Sequence, residues 1–205
     1  MIGLKIENLG FRTAGPLSLS VPAGECVGVR GPSGSGKTLF LRAVADIDSH
    51  TGKVFLNGTE SADLPAPEWR KQVGMLPAES AWWADTVGEH FSRSGGESPE
   101  PETDNWLKWL GFEAEVMDWE IARLSSGERQ RLALVRLLAN HPKALLLDEP
   151  TANLDAENIT RMETLVKTYQ RENKTPMIWV SHDTGQLDRV ASRRLLLKDG
   201  GLTDE

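Results

Sequence analysis

Cysteine is nearly missing from this chain: 205 residues contain one, Cys26. A lone cysteine excludes an internal disulfide, and its place at the head of the apolar run Cys26-Val27-Gly28-Val29 marks it as a packed core thiol suited to a reducing cytosol. Positive charge is also scarce, with 23 Lys and Arg against 30 Asp and Glu, for a formal net charge of -7. Phosphodiester backbones need a basic face, so nucleic acid is not expected as a partner. No apolar stretch approaches the roughly 18 residues that span a bilayer, and residues 1–10 lack a charged-then-apolar leader. Any membrane role is therefore expected to pass through a partner. Repeats and long heptad arrays are absent too, which excludes solenoids and extended coiled coils. The length fits one or at most two domains.

Against these absences stands one dense motif, Gly31-Pro32-Ser33-Gly34-Ser35-Gly36-Lys37-Thr38. It follows a short apolar run and precedes Leu39, Phe40, Leu41, Ala43 and Val44, the apolar face of a helix. A GxxxxGK[ST] loop between strand and helix is a polyphosphate cradle. Its glycines let backbone N–H groups turn inward, and the following helix points its positive dipole end at the same oxygens. Lys37 adds a point charge for the terminal phosphates, while the Thr38 hydroxyl is a hard ligand for Mg2+. The loop predicts nucleoside triphosphate binding.

Short apolar runs predict strands at Gly3–Asn8, Pro16–Val21, Glu25–Arg30, Lys53–Leu56 (closed by the Asn57-Gly58 turn), Val73–Leu76, Ala144–Leu147, Met177–Val180 and Arg194–Lys198. The later runs alternate with helical stretches, the pattern of a parallel sheet covered by helices. Between Pro77 and Leu124 the character changes. Helical pieces are expected around Thr86–Phe91 and Asp104–Leu110, joined by the polar, Pro/Gly-rich stretch Ser92–Thr103. The expected organisation is a nucleotide-binding core over 1–77 and 127–205, interrupted by a helical subdomain over 78–126.

Leu145-Leu146-Leu147-Asp148 reads as a buried strand ending in a carboxylate, which suits Mg2+ opposite Thr38. Glu149 follows at once. Adjacent carboxylates at a strand end are costly unless a cation or a reacting water uses them, so Glu149 is the candidate base. Further upstream, Leu124-Ser125-Ser126-Gly127-Glu128 precedes a helix expected over Arg129–Asn140 and ended by Pro142. Its Ser and Gly residues lie where a helix start offers N–H groups, a second anion-binding position.

The order of these motifs resembles the ATP-binding subunits of ABC transporters over essentially the full chain. The resemblance rests on the phosphate loop Gly31–Thr38, the signature Leu124–Glu128, the acids Asp148 and Glu149, the turn Ala152-Asn153-Leu154-Asp155, and His182 in Val180-Ser181-His182-Asp183. It implies an α/β fold, a P-loop NTPase core of ABC ATPase type: a mostly parallel sheet flanked by helices, N-terminal antiparallel strands, and an inserted helical subdomain. It also implies an ATPase that uses Mg2+, sits peripherally on the cytoplasmic face of the membrane, and works with a separate permease. Two copies would pair head to tail, with each ATP between one phosphate loop and the Ser125, Ser126, Gly127 and Glu128 of the other. By the same resemblance His182 touches the γ-phosphate and steadies Glu149, and Asp155 communicates across the dimer. The region Ala144–Asp155 and Ile178–Asp183 is similar to bacterial subunits proposed for metal or iron export. A regulatory ATPase without a membrane partner and a DNA-maintenance ATPase head are the alternatives. The second lacks its expected coiled coil and basic surface here.

Three positions depart from that family. Ala78 stands where a Mg2+-ligating Gln is common, leaving water or Glu79 to supply oxygen. Thr13 replaces the aromatic that usually stacks on the base, so Phe11, two residues earlier, or Arg12 is the candidate substitute, with core packing of Phe11 the alternative. Ser126 replaces a glycine. Six of the seven tryptophans, Trp69, Trp82, Trp83, Trp106, Trp109 and Trp119, lie in or beside the expected insertion, and most of them are expected to build its core. Adjacent Trp82 and Trp83 should point apart, leaving one exposed as an interface residue.

Overall fold

The computed structural model describes residues 3–12, 14–91 and 101–205. In chain order its elements are β1 (Gly3–Phe11), β2 (Ala14–Pro22), β3 (Cys26–Arg30), α1 (Lys37–Val44), β4 (Thr51–Leu56), β5 (Thr59–Glu60), α2 (Ala66–Gln72) and β6 (Val73–Leu76), then α3 (Pro101–Trp109) and α4 (Ser126–Leu138), and finally β7 (Ala144–Asp148), α5 (Ala156–Asn173), β8 (Met177–Val180), α6 (Thr184–Val190), β9 (Arg193–Lys198) and β10 (Gly201–Asp204). They divide into two compact units.

The first unit comprises residues 1–77, 142–150 and 167–205. It holds a four-stranded antiparallel sheet ordered β2-β1-β4-β5 and a six-stranded sheet ordered β10-β9-β3-β8-β7-β6. In the second sheet β9, β3, β8, β7 and β6 are parallel, and only the edge strand β10 runs antiparallel. Parallel strands covered on both faces read as continuous apolar runs, and β7 and β8 are buried at every residue. The mostly parallel α/β core with antiparallel N-terminal strands is as expected. Asn57 and Gly58, at φ 52 and 92, turn β4 into β5 as a two-residue hairpin. Cys26 is buried, and burial pushes its thiol up to about 12, so it is an inert core residue.

The second unit comprises residues 78–141 and 151–166. It is wider than the expected insertion because α4 and the first turns of α5 belong to it. The helical piece expected at Thr86–Phe91 is only a 3-10 turn at Gly88–His90. Helix α3 begins at Pro101, inside the stretch expected to be loop, since proline fits the first helical turn. Residues 92–100 of that stretch lie outside the described residues. Helix α4 starts at Ser126, three residues before the expected Arg129.

The tryptophans correct the expectation most. Trp69 belongs to the first unit, fully buried on α2 with Nε1 donating to the Val44 carbonyl at 3.1 Å. In the second unit the buried apolar residues include Val87, Leu107, Leu110, Phe112 and Val116, while Trp109 is 41% exposed and Trp83, as expected for one of its pair, 74%. Nor do Trp82 and Trp83 point apart, because their segment is neither helix nor strand. Both rings meet His90, each at 4.7 Å between centroids, and the Arg136 guanidinium lies over both at 4.3 and 4.8 Å.

Candidate functional site

In an open α/β sheet the carboxyl ends of neighbouring parallel strands form the natural binding edge. Strand β8 lies between β3 and β7, with Val180 in register with Val29 on one side and Asp148 on the other. The chain therefore delivers the loop after β3, Asp148 and Glu149 after β7, and His182 after β8 to one edge of the first unit.

The loop Gly31–Thr38 is shaped for backbone donation. A Cβ on Gly31 would lie 2.2 Å from the Leu197 carbonyl oxygen, so only glycine fits. Gly36 caps α1 at φ 97, a left-handed conformation costly to any side chain, and no side chain bonds the first N–H groups of the helix. The Ser35 hydroxyl is buried with no partner among the described residues. Lys37 is buried, its Nζ donating to the carbonyls of Gly31 at 2.9 Å and Pro32 at 3.1 Å. Burial lowers its pKa, opposed by the nearby Glu149 and Asp148 charges. Bare helix amides, an unpaired hydroxyl and a buried cation on one loop suit an oligophosphate anion.

The Thr38 hydroxyl donates to Asp148 Oδ2 at 2.7 Å. Burial raises the Asp148 carboxyl, against the Thr38 hydrogen bond and the Lys37 charge. Hydroxyl and carboxylate are both hard oxygen donors, and with phosphate oxygens and water they match what Mg2+ accepts. Glu149, at φ 45, accepts from the His182 backbone N–H at 3.3 Å, and its Oε1 lies 3.4 Å from His182 Nε2. Burial raises its carboxyl, with the His182 backbone N–H the first opposing influence. A carboxylate destabilised by burial and oriented by a neighbour is equipped to take a proton.

Phe11 corrects the expectation of a base-stacking ring. It is 4% exposed, packs 6.2 Å from Phe40 between centroids, and directs an edge at Gly36, where a Cβ would meet it at 3.4 Å. The ring packs in the core beside the loop and borders a cleft only at its rim. Arg12 is exposed and lines a cleft of about 580 Å³ with Ser49, His50 and Thr51. Thr13 lies outside the described residues.

The second unit carries the other expected positions. Ser125 is the N-cap of α4, and Glu128 closes a capping box: Glu128 N donates to Ser125 Oγ at 3.2 Å, and Ser125 N donates to Glu128 Oε2 at 2.8 Å. Gly127 packs closely on the following turn, since a Cβ there would meet Leu154 Cδ2 at 3.0 Å and the Asn153 carbonyl at 3.2 Å. Asp155 accepts from the Asn158 N–H at 2.9 Å at the start of α5, and this bond holds its carboxyl below the usual range. Ala78 also lies here and offers no oxygen.

Sequence reasoning missed Arg136 and His90. Arg136 lies 54 positions from Trp82, and such a separation leaves no periodic signal. His90 donates from Nδ1 to the Thr86 carbonyl at 2.9 Å and accepts at Nε2 from the N–H groups of Trp83 and Ala84, which requires the neutral ring. Arg136 donates to the Ala81 carbonyl at 2.9 Å, and burial lowers its pKa to about 10.

The ABC transporter family model matches residues 14–152. Curated relatives include ABC transporter I family member 17 of Arabidopsis thaliana, 31% identical over 205 residues, with 98% of this chain and 78% of that protein covered. The probable iron export ATP-binding protein FetA of Escherichia coli is 30% identical over 197 residues, covering 91% and 88%. Against three other relatives the chain spans only 56 or 57% of their length. Among solved structures, a dimeric post-hydrolysis state of an ATP-binding cassette bound to ADP and Pi aligns with TM-score 0.84 and 26% identity over 98% of each chain. Among the described residues no helix is long and apolar enough to cross a membrane. With the family model matched over residues 14–152 and relatives of 30% identity or more covered across most of their length, the chain belongs to the ABC transporter family, as an ATP-binding subunit with ATPase activity.

Proposed function

We propose that this ATPase powers transport through a separate membrane permease, with ATP drawing two copies together head to tail and hydrolysis releasing them. Lys37 and the loop amides from Gly31 to Thr38 hold the phosphates. Thr38 and Asp148 hold Mg2+, which when bound offsets negative charge on the phosphates. Glu149 accepts the proton of the attacking water, His182 orients Glu149 and meets the γ-phosphate, and Ser125–Gly127 of the second copy close on the nucleotide. Asp155 couples the two halves. The subunit would then sit peripherally on the cytoplasmic face.

The observation that carries the reading is Glu149, half-buried and within 3.4 Å of His182 on the edge that holds Thr38 and Asp148. Glu149→Gln should keep ATP binding while lowering turnover roughly a hundredfold or more. Sedimentation should then detect an ATP-dependent dimer. A variant that still hydrolyses quickly overturns the role given to Glu149.

The permease contact is assigned to Trp83 and its neighbour Trp82. Trp83 is exposed beside Arg136, as aromatic interface anchors commonly are, with the half-buried Trp82 next to it. Substituting both with Ala should abolish co-purification with the permease, and an intact complex with stimulated ATPase activity overturns the assignment. Ala78 favours a second reading, a regulatory ATPase without a membrane partner. A stable complex with a permease rejects it, and a higher ATPase rate in Ala78→Gln would show that a lost ligand slows the chemistry.

A further inference from the structure

We infer that Glu128 acts as a tethered anion that occupies the signature half-site and holds back closure of the dimer until the partner's nucleotide displaces it. This inference rests on the head-to-tail reading above and assigns Glu128 a role opposite to that of its neighbours Ser125 and Gly127.

Two anions compete for the same donors. At the start of α4, Ser125 contributes two groups able to hold an incoming anion, its backbone N–H and its hydroxyl. Both already point at one carboxylate oxygen: Ser125 N to Glu128 Oε2 at 2.8 Å and Ser125 Oγ to the same Oε2 at 2.7 Å. Hydrogen bonds to a charged acceptor are among the stronger ones. Burial works to raise the Glu128 carboxyl, but the two Ser125 bonds together with Arg131 and Arg123 outweigh it and keep the group below the usual glutamate range. At neutral pH the helix start therefore carries a full negative charge where a phosphate oxygen would have to bind. A trans phosphate must break both bonds and approach a like charge, and a symmetric dimer meets that cost twice.

The substitution Glu128→Gln separates charge from structure. Glutamine serves equally at this position of a capping box, so the helix start stays closed while the charge is lost. The experiment places Glu128→Gln in the Glu149→Gln background and follows ATP-dependent dimerisation by analytical ultracentrifugation at low and high salt, with thermal unfolding alongside. The double variant is expected to dimerise roughly tenfold more tightly than Glu149→Gln alone at low salt. Added salt should narrow the gap, since screening weakens the repulsion that Glu128 supplies. The unfolding midpoint should stay within about 2 °C, the range of a small surface change. Equal or weaker dimerisation of the double variant, or a gap that ignores salt, overturns the inference while leaving the dimer reading in place. If both variants bind ATP and neither dimerises, head-to-tail closure fails and the inference falls with it.

Discussion

Helices α1 and α4 both start in runs of serine and glycine, yet their first turns are built in opposite ways. The start of α1 has a left-handed glycine as N-cap, no side-chain cap and no acidic residue in its first turn. The start of α4 has a serine cap, a closed capping box and Glu128 in its first turn. A helix start left without internal partners keeps its N–H groups and its dipole for a ligand, whereas one satisfied by its own side chains gains stability and gives up that capacity. One chain thus holds one helix start with its donors open to an anion and another whose donors are internally occupied.

The largest test of that contrast is Lys37→Ala. Removing this buried cation from the loop should weaken productive ATP binding and turnover roughly a thousandfold, measured by a fluorescent nucleotide analogue and phosphate release. Near-normal turnover would mean that the loop amides suffice. Next, Phe11→Ala should cost about 3 kcal/mol of stability in denaturant unfolding, because the ring fills the core beneath Gly36. The ratio of ATP to GTP affinity should not change. A lost preference for ATP would restore Phe11 as a base platform.

On the closed side, Ser125→Ala removes a cap and should cost about 1 kcal/mol in thermal unfolding. No loss would show that the capping box contributes little. The smallest effect concerns pH. The Glu149 carboxyl is raised by burial, so the native state favours its neutral form. A raised group contributes stability below its unfolded pKa and loses it as pH rises through the folded value. Glu149→Gln should therefore match the parent at acid pH and exceed it in stability at neutral pH, seen in denaturant midpoints. In the parent, turnover should fall as pH drops through a value above the ordinary glutamate range.

Much of this was legible in the residues. Strands β6 and β8 begin and end as the apolar runs predict, because a strand buried on both faces leaves an unbroken apolar signal. The short edge strand β10, Gly201–Asp204, left no such signal, since it is exposed and polar and owes its form to pairing with β9. Phe11 and the tryptophans were misjudged for a related reason. Composition states how much apolar surface exists, and only packing decides which ring faces solvent.

The local order of amino acids determined the phosphate loop by itself, because left-handed glycines, a following helix and a lysine act over eight neighbouring positions. It determined the strand-end acids for the same reason. Only the tertiary structure decided that Thr38 meets Asp148 across 110 positions, that Glu149 rests on His182, and that Arg136 lies over two indoles. The first two contacts arise from strand order and the third from how α4 meets the segment at residues 81–83, and no periodicity along the chain encodes them.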